Sequence, residues 1–103
     1  MSRITLEGKL SSETRTESFD FTSRLAASET ISTASVAATV YSGTDASPSS
    51  IISGAASISG AQVTQKLTGG VEGVTYSLTC TANTSTSQVL KLQAFLTIVP
   101  LGA

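Results

Sequence analysis

The chain has no histidine and no tryptophan. Without histidine there is no Ser-His or Cys-His nucleophile pair, and the commonest metal ligand is missing. Charge is scarce as well: 13% of residues are ionisable as Asp, Glu, Lys or Arg, and the net formal charge is -1, against a usual charged share of about 25%. Scattered basic residues with so few aromatics give neither a phosphate-tracking stripe nor a stacking platform, so nucleic acid is not an expected partner. No run approaches the roughly 20 apolar residues of a membrane span, and MSRITLEGKLSSE lacks the apolar stretch of a signal peptide. The expectation is a protein made and folded in a cytosol, with no membrane contact. Cys80 is the only cysteine, which excludes an intrachain disulfide. Its expected role is that of an inert buried thiol.

The acidic residues Glu7, Glu13, Glu17, Asp20, Glu29, Asp45 and Glu72 show no close pair at metal-binding spacing, and no serine has a candidate base beside it. Gly69, Gly70 and Gly73 lack the lysine and the strand-to-helix context of a phosphate loop. They read as a turn that needs positive φ or a close approach. No catalytic residue, metal site or cofactor is expected, and an enzyme is the least favoured class. Asp20 lies between Phe19 and Phe21, where it is either a hydrogen-bonded strand residue or an anchor that pairs with Arg24 or a partner's arginine.

Serine and threonine fill about a third of the chain, and β-branched residues and turn formers dominate throughout. No window holds helical spacing for more than about two turns. Strands are expected at an N-terminal segment with Ile4, Leu6 and Leu10 on one parity, at Glu17 to Phe21 with Phe19 and Phe21 on one face, and at Thr30 to Tyr41 with Ala34, Val36, Ala38 and Val40 inward. Further strands are expected at Ile51 to Ala56, Gln62 to Leu67, Val74 to Ala82 and Gln88 to Val99. Arg24-Leu25-Ala26 reads as a turn or a single helical turn. SGTDASPSS at Ser42 to Ser50 and the tip Asn83 to Ser87 read as loops. At 103 residues this is one domain, large enough to bury roughly 65% of its unfolded surface.

The stretch LTGGVEGVTYSLTCTA, Leu67 to Ala82, joins a glycine corner to a strand whose one face is Val74, Tyr76, Leu78, Cys80 and Ala82. Its other face, Thr75, Ser77, Thr79 and Thr81, is expected to meet solvent. This resembles the corner and sixth strand of an immunoglobulin-like domain, in which a tyrosine bonds back across the preceding corner and a cysteine follows on the same face. Here the two are four residues apart instead of two. The expected fold is therefore all-β: an immunoglobulin-like antiparallel β-sandwich of about seven strands at residues 14–103, with an arm or edge strand at residues 1–13. Phe19, Phe21, Tyr76, Cys80, Gly69, Gly70 and Gly73 are its candidate fold-keeping residues.

The last strand carries the candidate interface. Leu90, Leu92, Ala94, Leu96 and Ile98 point inward, yet the opposite parity also holds Val89, Phe95 and Val99, large apolar residues that mark a contact surface if exposed. Two readings stand side by side. Either Phe95 and Val99 are covered by the N-terminal segment with Ile4 and Leu6, or they join Ile4, Leu6 and Leu10 in binding a partner.

FDFTSRLAASETISTASVAATVYSGTD, then Pro48 through Gly54, then QVTQKLTGGVEGVTYSLTCTANTS, resembles a family of small immunoglobulin-like bacteriophage virion proteins described as fiber-tail adaptor or tail-associated proteins. The resemblance implies a non-enzymatic structural protein in the tail or neck of a virion. Its implied partners are other virion subunits, such as tail, neck or fiber proteins, met in multiple copies of a symmetric assembly. The alternatives are a head decoration protein on the capsid, or a host-surface or carbohydrate binding module that uses the tips Ser42 to Ser50 and Asn83 to Ser87.

Overall fold

The computed structural model describes residues 8–99 in full and Arg3–Thr5 by backbone alone. Leu6 and the side chain of Ile4 lie outside the described residues. The strands are β1 (Arg3–Thr5), β2 (Lys9–Leu10), β3 (Thr14–Asp20), β4 (Ile31–Ser42), β5 (Ile52–Ser59), β6 (Gln62–Thr68), β7 (Thr75–Thr84) and β8 (Val89–Val99). Single 3-10 turns occupy Thr22–Arg24 and Pro48–Ile51.

Two sheets form an all-β sandwich. One is ordered β1-β8-β7-β4, with β2 also on β8, and the other β3-β6-β5. Pairings among β3 to β8 are antiparallel, whereas β1 and β2 run parallel to β8. Alternation places the core. Tyr76, Leu78, Cys80 and Ala82 of β7 are buried, as are Leu92, Ala94, Leu96 and Ile98 of β8; from the other sheet they meet Phe19, Val63 and Leu67, with Phe21 and Ile51 at its margins. Each large apolar side chain so buried stabilises the fold by about 1.5–3 kcal/mol.

Three of the differences from the sequence reading have a local reason. The fourth predicted strand continues past Ala56 to Ser59 as β5, because a register shift between Ser53 and Ser57 absorbs Gly54 at φ 74°. Gln65, buried on β6, fills the shift by donating its side-chain Nε2 to the carbonyls of Ser53 and Gly54 at 3.1 and 3.2 Å. The single helical turn falls at Thr22–Arg24, ahead of Leu25. On β7 the polar face does not stand in open solvent: Ser77 is 7% exposed and Thr75, Thr79 and Thr81 are half-buried. β7 lies between β4 and β8, so their side chains lean over it.

Candidate docking surfaces

At one end of the sandwich the glycine corner is built around Tyr76. Its hydroxyl donates to Asp45 Oδ2 at 2.7 Å and accepts the Val71 N–H at 3.0 Å, which ties the Gly43 to Ser47 loop to the corner. The bond from Tyr76 holds Asp45 below the ordinary carboxylate value, and the Ser47 N–H adds to it; burial raises the Tyr76 pKa. Gly69, Gly70 and Gly73 all have positive φ. At Gly70 a side chain is also excluded by space, since a Cβ there would lie 2.7 Å from Ile98 Cδ1.

The N-terminal residues attach beside this corner. Arg3, Ile4 and Thr5 pair with Gln93, Ala94 and Phe95, and after an offset of one residue Lys9 and Leu10 pair with Ile98 and Val99. Lys9 is 1% exposed, and its Nζ donates to the carbonyls of Leu10 and Gly69, both at 2.8 Å. Burial lowers its pKa. Arg15 Nη1 donates to Gly8 O at 3.1 Å, and Glu13 Oε1 accepts the Leu10 N–H at 2.8 Å. Sequence inspection missed Lys9, which reads as an ordinary surface cation; no local pattern marks it, because its burial follows from pairing with β8 beside the glycine corner.

The outward residues of β8 do not form one patch. Val89 is 60% exposed at the hairpin end, about 20 Å along the strand from Phe95 at the usual rise per residue. Phe95 is half-buried against Tyr41 of β4, with ring centroids 4.7 Å apart and planes tilted by 53°. Ser77 lies on the strand between them and accepts a bond from Gln93 Nε2 at 2.7 Å. Val99 is half-buried beside Gly8. The two readings of this face are thus divided: the N-terminal segment covers Val99, and Tyr41 shields Phe95. Tyr41 is itself 65% exposed, and no sequence pattern links it to Phe95, because the two meet across an intervening strand.

Asp20 does not meet Arg24. Its Oδ1 accepts the Thr22 N–H at 2.9 Å and the Thr22 hydroxyl at 2.5 Å, which lowers its pKa. Arg24 instead reaches Lys91 O at 3.4 Å. Glu29 accepts from the hydroxyls of Thr84 and Thr86 and from the Ala26 N–H, and the threonine bonds hold its pKa down. Cys80 is buried beside Val36, and burial pushes its pKa up to about 12. The two loop tips lie at opposite ends of a body 45 Å long, since β4 pairs Ile31 with Thr84 at one end and Ser42 with Thr75 at the other. They do not combine into one binding surface. Among the described residues no group of acids or cysteines is placed to hold a metal ion.

A two-sheet sandwich of hydroxyl-rich strands, with its features of interest on edges and outer faces, is a small structural β-domain. The chain belongs to the Gp77 family, described as podophage GP4 fiber-tail adaptor protein gp77, which it matches over residues 9–97. It is therefore an adaptor-family protein of the phage tail. No curated protein and no solved structure matches it.

Proposed function

We propose that this chain is a non-enzymatic connector that joins a fiber to the tail through protein–protein contacts, as one of several copies around the tail. The family match over residues 9–97 carries this reading. The strand order supports an immunoglobulin-like topology, with β3, β6 and β5 facing β8, β7 and β4, and a tyrosine near the start of the penultimate strand bonded back to the corner before it. In this reading residues 1–13 are an arm and residues 14–103 the sandwich. In this reading the contacts are made at separate places along β8: Val89 at the hairpin end, Phe95 with Tyr41 on the outer face, and the edge where Val99 meets the arm with Ile4, Leu6 and Leu10. Aromatic anchors on a face poor in charge suit the centre of a protein interface.

The test is a phage that lacks this chain, complemented with a tagged copy. Fibers should be missing from the uncomplemented particles in negative stain and restored by the tagged copy, with the tag located at the tail. Fibers that attach without the chain, or a tag seen over the capsid shell, would overturn the reading; the latter would favour head decoration. A copy carrying Val89→Asp together with Tyr41→Ser should fold but restore fewer fibers.

A further inference from the structure

We propose that the outer face of β3, β6 and β5 holds a receptor for one carboxylate side chain, an aspartate or glutamate presented by a neighbouring virion protein. An open cleft of about 430 Å³ lies there, lined by the hydroxyls of Thr16, Ser53, Ser57 and Thr64 and by Lys66. Strand pairing sets these groups side by side. Thr16 and Ser53 flank Lys66 on the two neighbouring strands, and Ser57 adjoins Thr64 on the same face.

The cleft has a dedicated support. One wall is the irregular part of β5, where Gly54 turns at φ 74° and the register to β6 shifts between Ser53 and Ser57. Gln65, 2% exposed, holds that shape from the core side: its Nε2 donates to the carbonyls of Ser53, Gly54 and Lys66 at 3.1, 3.2 and 3.0 Å. A polar group is retained in a core only where it is bonded, and a bulge of this kind re-aims side chains beside sites. A regular strand over an aliphatic residue would be the simpler build.

Charge selects the occupant. Lys66 is exposed, and among the described residues it makes no hydrogen bond or ion pair. The nearby acids of β3 are committed elsewhere, Glu17 to Arg15 at 3.0 Å and Asp20 to Thr22. One ammonium with several hydroxyl donors matches the single charge and two oxygens of a carboxylate. A phosphate monoester would bring nearly twice that charge, and nucleic acid would bring phosphates in series, with no second cation lining the cleft to meet them. A neutral sugar would leave the ammonium uncompensated and find no aromatic ring to stack on. That the acid belongs to a virion protein rests on the adaptor reading, whose β8 contacts lie on the other sheet. A connector needs two faces, and the cleft supplies the second.

Cross-linking of assembled particles with a water-soluble carbodiimide tests this, because the reagent joins an amine to a carboxylate only where the two touch. Mass spectrometry of the digest should find Lys66 joined to an aspartate or glutamate of another virion protein. The double variant Ser57→Ala, Thr64→Val keeps the amine but removes two donors, and should lower that yield about threefold or more. Lys66→Glu, at an exposed position, should fold with unchanged circular dichroism. It should nonetheless lower more than about tenfold either the chain's copies per particle or the fibers attached, according to which neighbour carries the acid. Lys66→Arg, which keeps the charge, should lower them less. A Lys66 that couples to no other virion protein, a yield unchanged without the two hydroxyls, or particles that assemble normally with Lys66→Glu would each overturn the proposal. Fibers that attach to particles lacking the chain overturn the adaptor reading alone, since the cross-link from Lys66 reads the cleft directly.

Discussion

The two flanks of the sandwich are built on opposite terms. Along the β8 and β3 flank, β1 and β2 cover the edge, Lys9 is buried on the Gly69 carbonyl, and Arg15 reaches from β3 to Gly8. Most of the ionic and charge-assisted bonding among the flank residues is gathered there. Along the β4 and β5 flank, Ala34, Val36, Val40, Ile52 and Ala56 are only half-buried, and β4 carries no charge at all. One flank invests side-chain bonds in closing the fold; the other leaves apolar groups and backbone edge available.

The sharpest way to break the closed flank is at Gly70. A Cβ there would meet two atoms of Ile98 at 2.7 Å, and φ is +108°. Overpacking and an unfavourable backbone region together predict that Gly70→Ala costs about 3 kcal/mol in urea unfolding. Gly69→Ala is the internal control: φ is +66° but no atom lies within 4 Å of the new Cβ, so only the backbone cost of about 1 kcal/mol remains. Equal losses at the two positions would show that space beside Ile98 does not matter.

Lys9→Met comes next. The buried amine bonds two carbonyls, at Leu10 and Gly69, and its loss leaves both acceptors short of a donor. Relief of the desolvation cost offsets part of this, so a net loss of about 1 kcal/mol is expected. Amide exchange should accelerate along Lys9–Leu10 and their β8 partners, with the β4–β7 pairs unchanged. Uniform acceleration across the sandwich would mean that the arm is not a separate unit of local opening.

How much of this was legible in the sequence depended on range. Period-two alternation placed the inward residues of β6, β7 and β8, because a buried face leaves a mark every second residue. The corner was readable too, since glycines followed by tyrosine at a strand start form a local signal, although the Asp45 carboxylate that completes it comes from a distant loop. What alternation cannot carry is pairing between strands. The Tyr41–Phe95 contact, the parallel attachment of β1 and β2, and the separation of the two loop tips all follow from sheet order. Val89, Phe95 and Val99 share a parity, and parity alone does not say that they are spread along a strand with different neighbours.

Acid should loosen the ends of the sandwich before its flanks. Asp45 binds Tyr76 at one end and Glu29 binds Thr84 and Thr86 at the other, and both carboxylates are held below their ordinary values of 3.8 and 4.5. In that window the unfolded chain binds more protons than the native one, so stability rises with pH. The contribution is fully present above the unfolded values and is lost as pH falls through the depressed native ones. Unfolding midpoints measured from pH 6 down to pH 2 should fall below about pH 4.5, less steeply in Tyr76→Phe, which lacks the Asp45 bond. A flat profile would remove any net part for these loop ties.

The smallest effect is expected on the open flank, and it is the most informative. Ala37 is exposed on an edge strand, with no buried contact for a substitution to lose. Aspartate is disfavoured in strands, but the whole β scale spans only about 1 kcal/mol and edges soften it, so Ala37→Asp in dilute monomer should cost about 0.5 kcal/mol or less. That is roughly a sixth of the Gly70→Ala loss predicted on overpacking grounds. If Ala37→Asp destabilises the chain as much as Lys9→Met does, the β4 edge is part of what holds the fold together, and the contrast between the flanks fails.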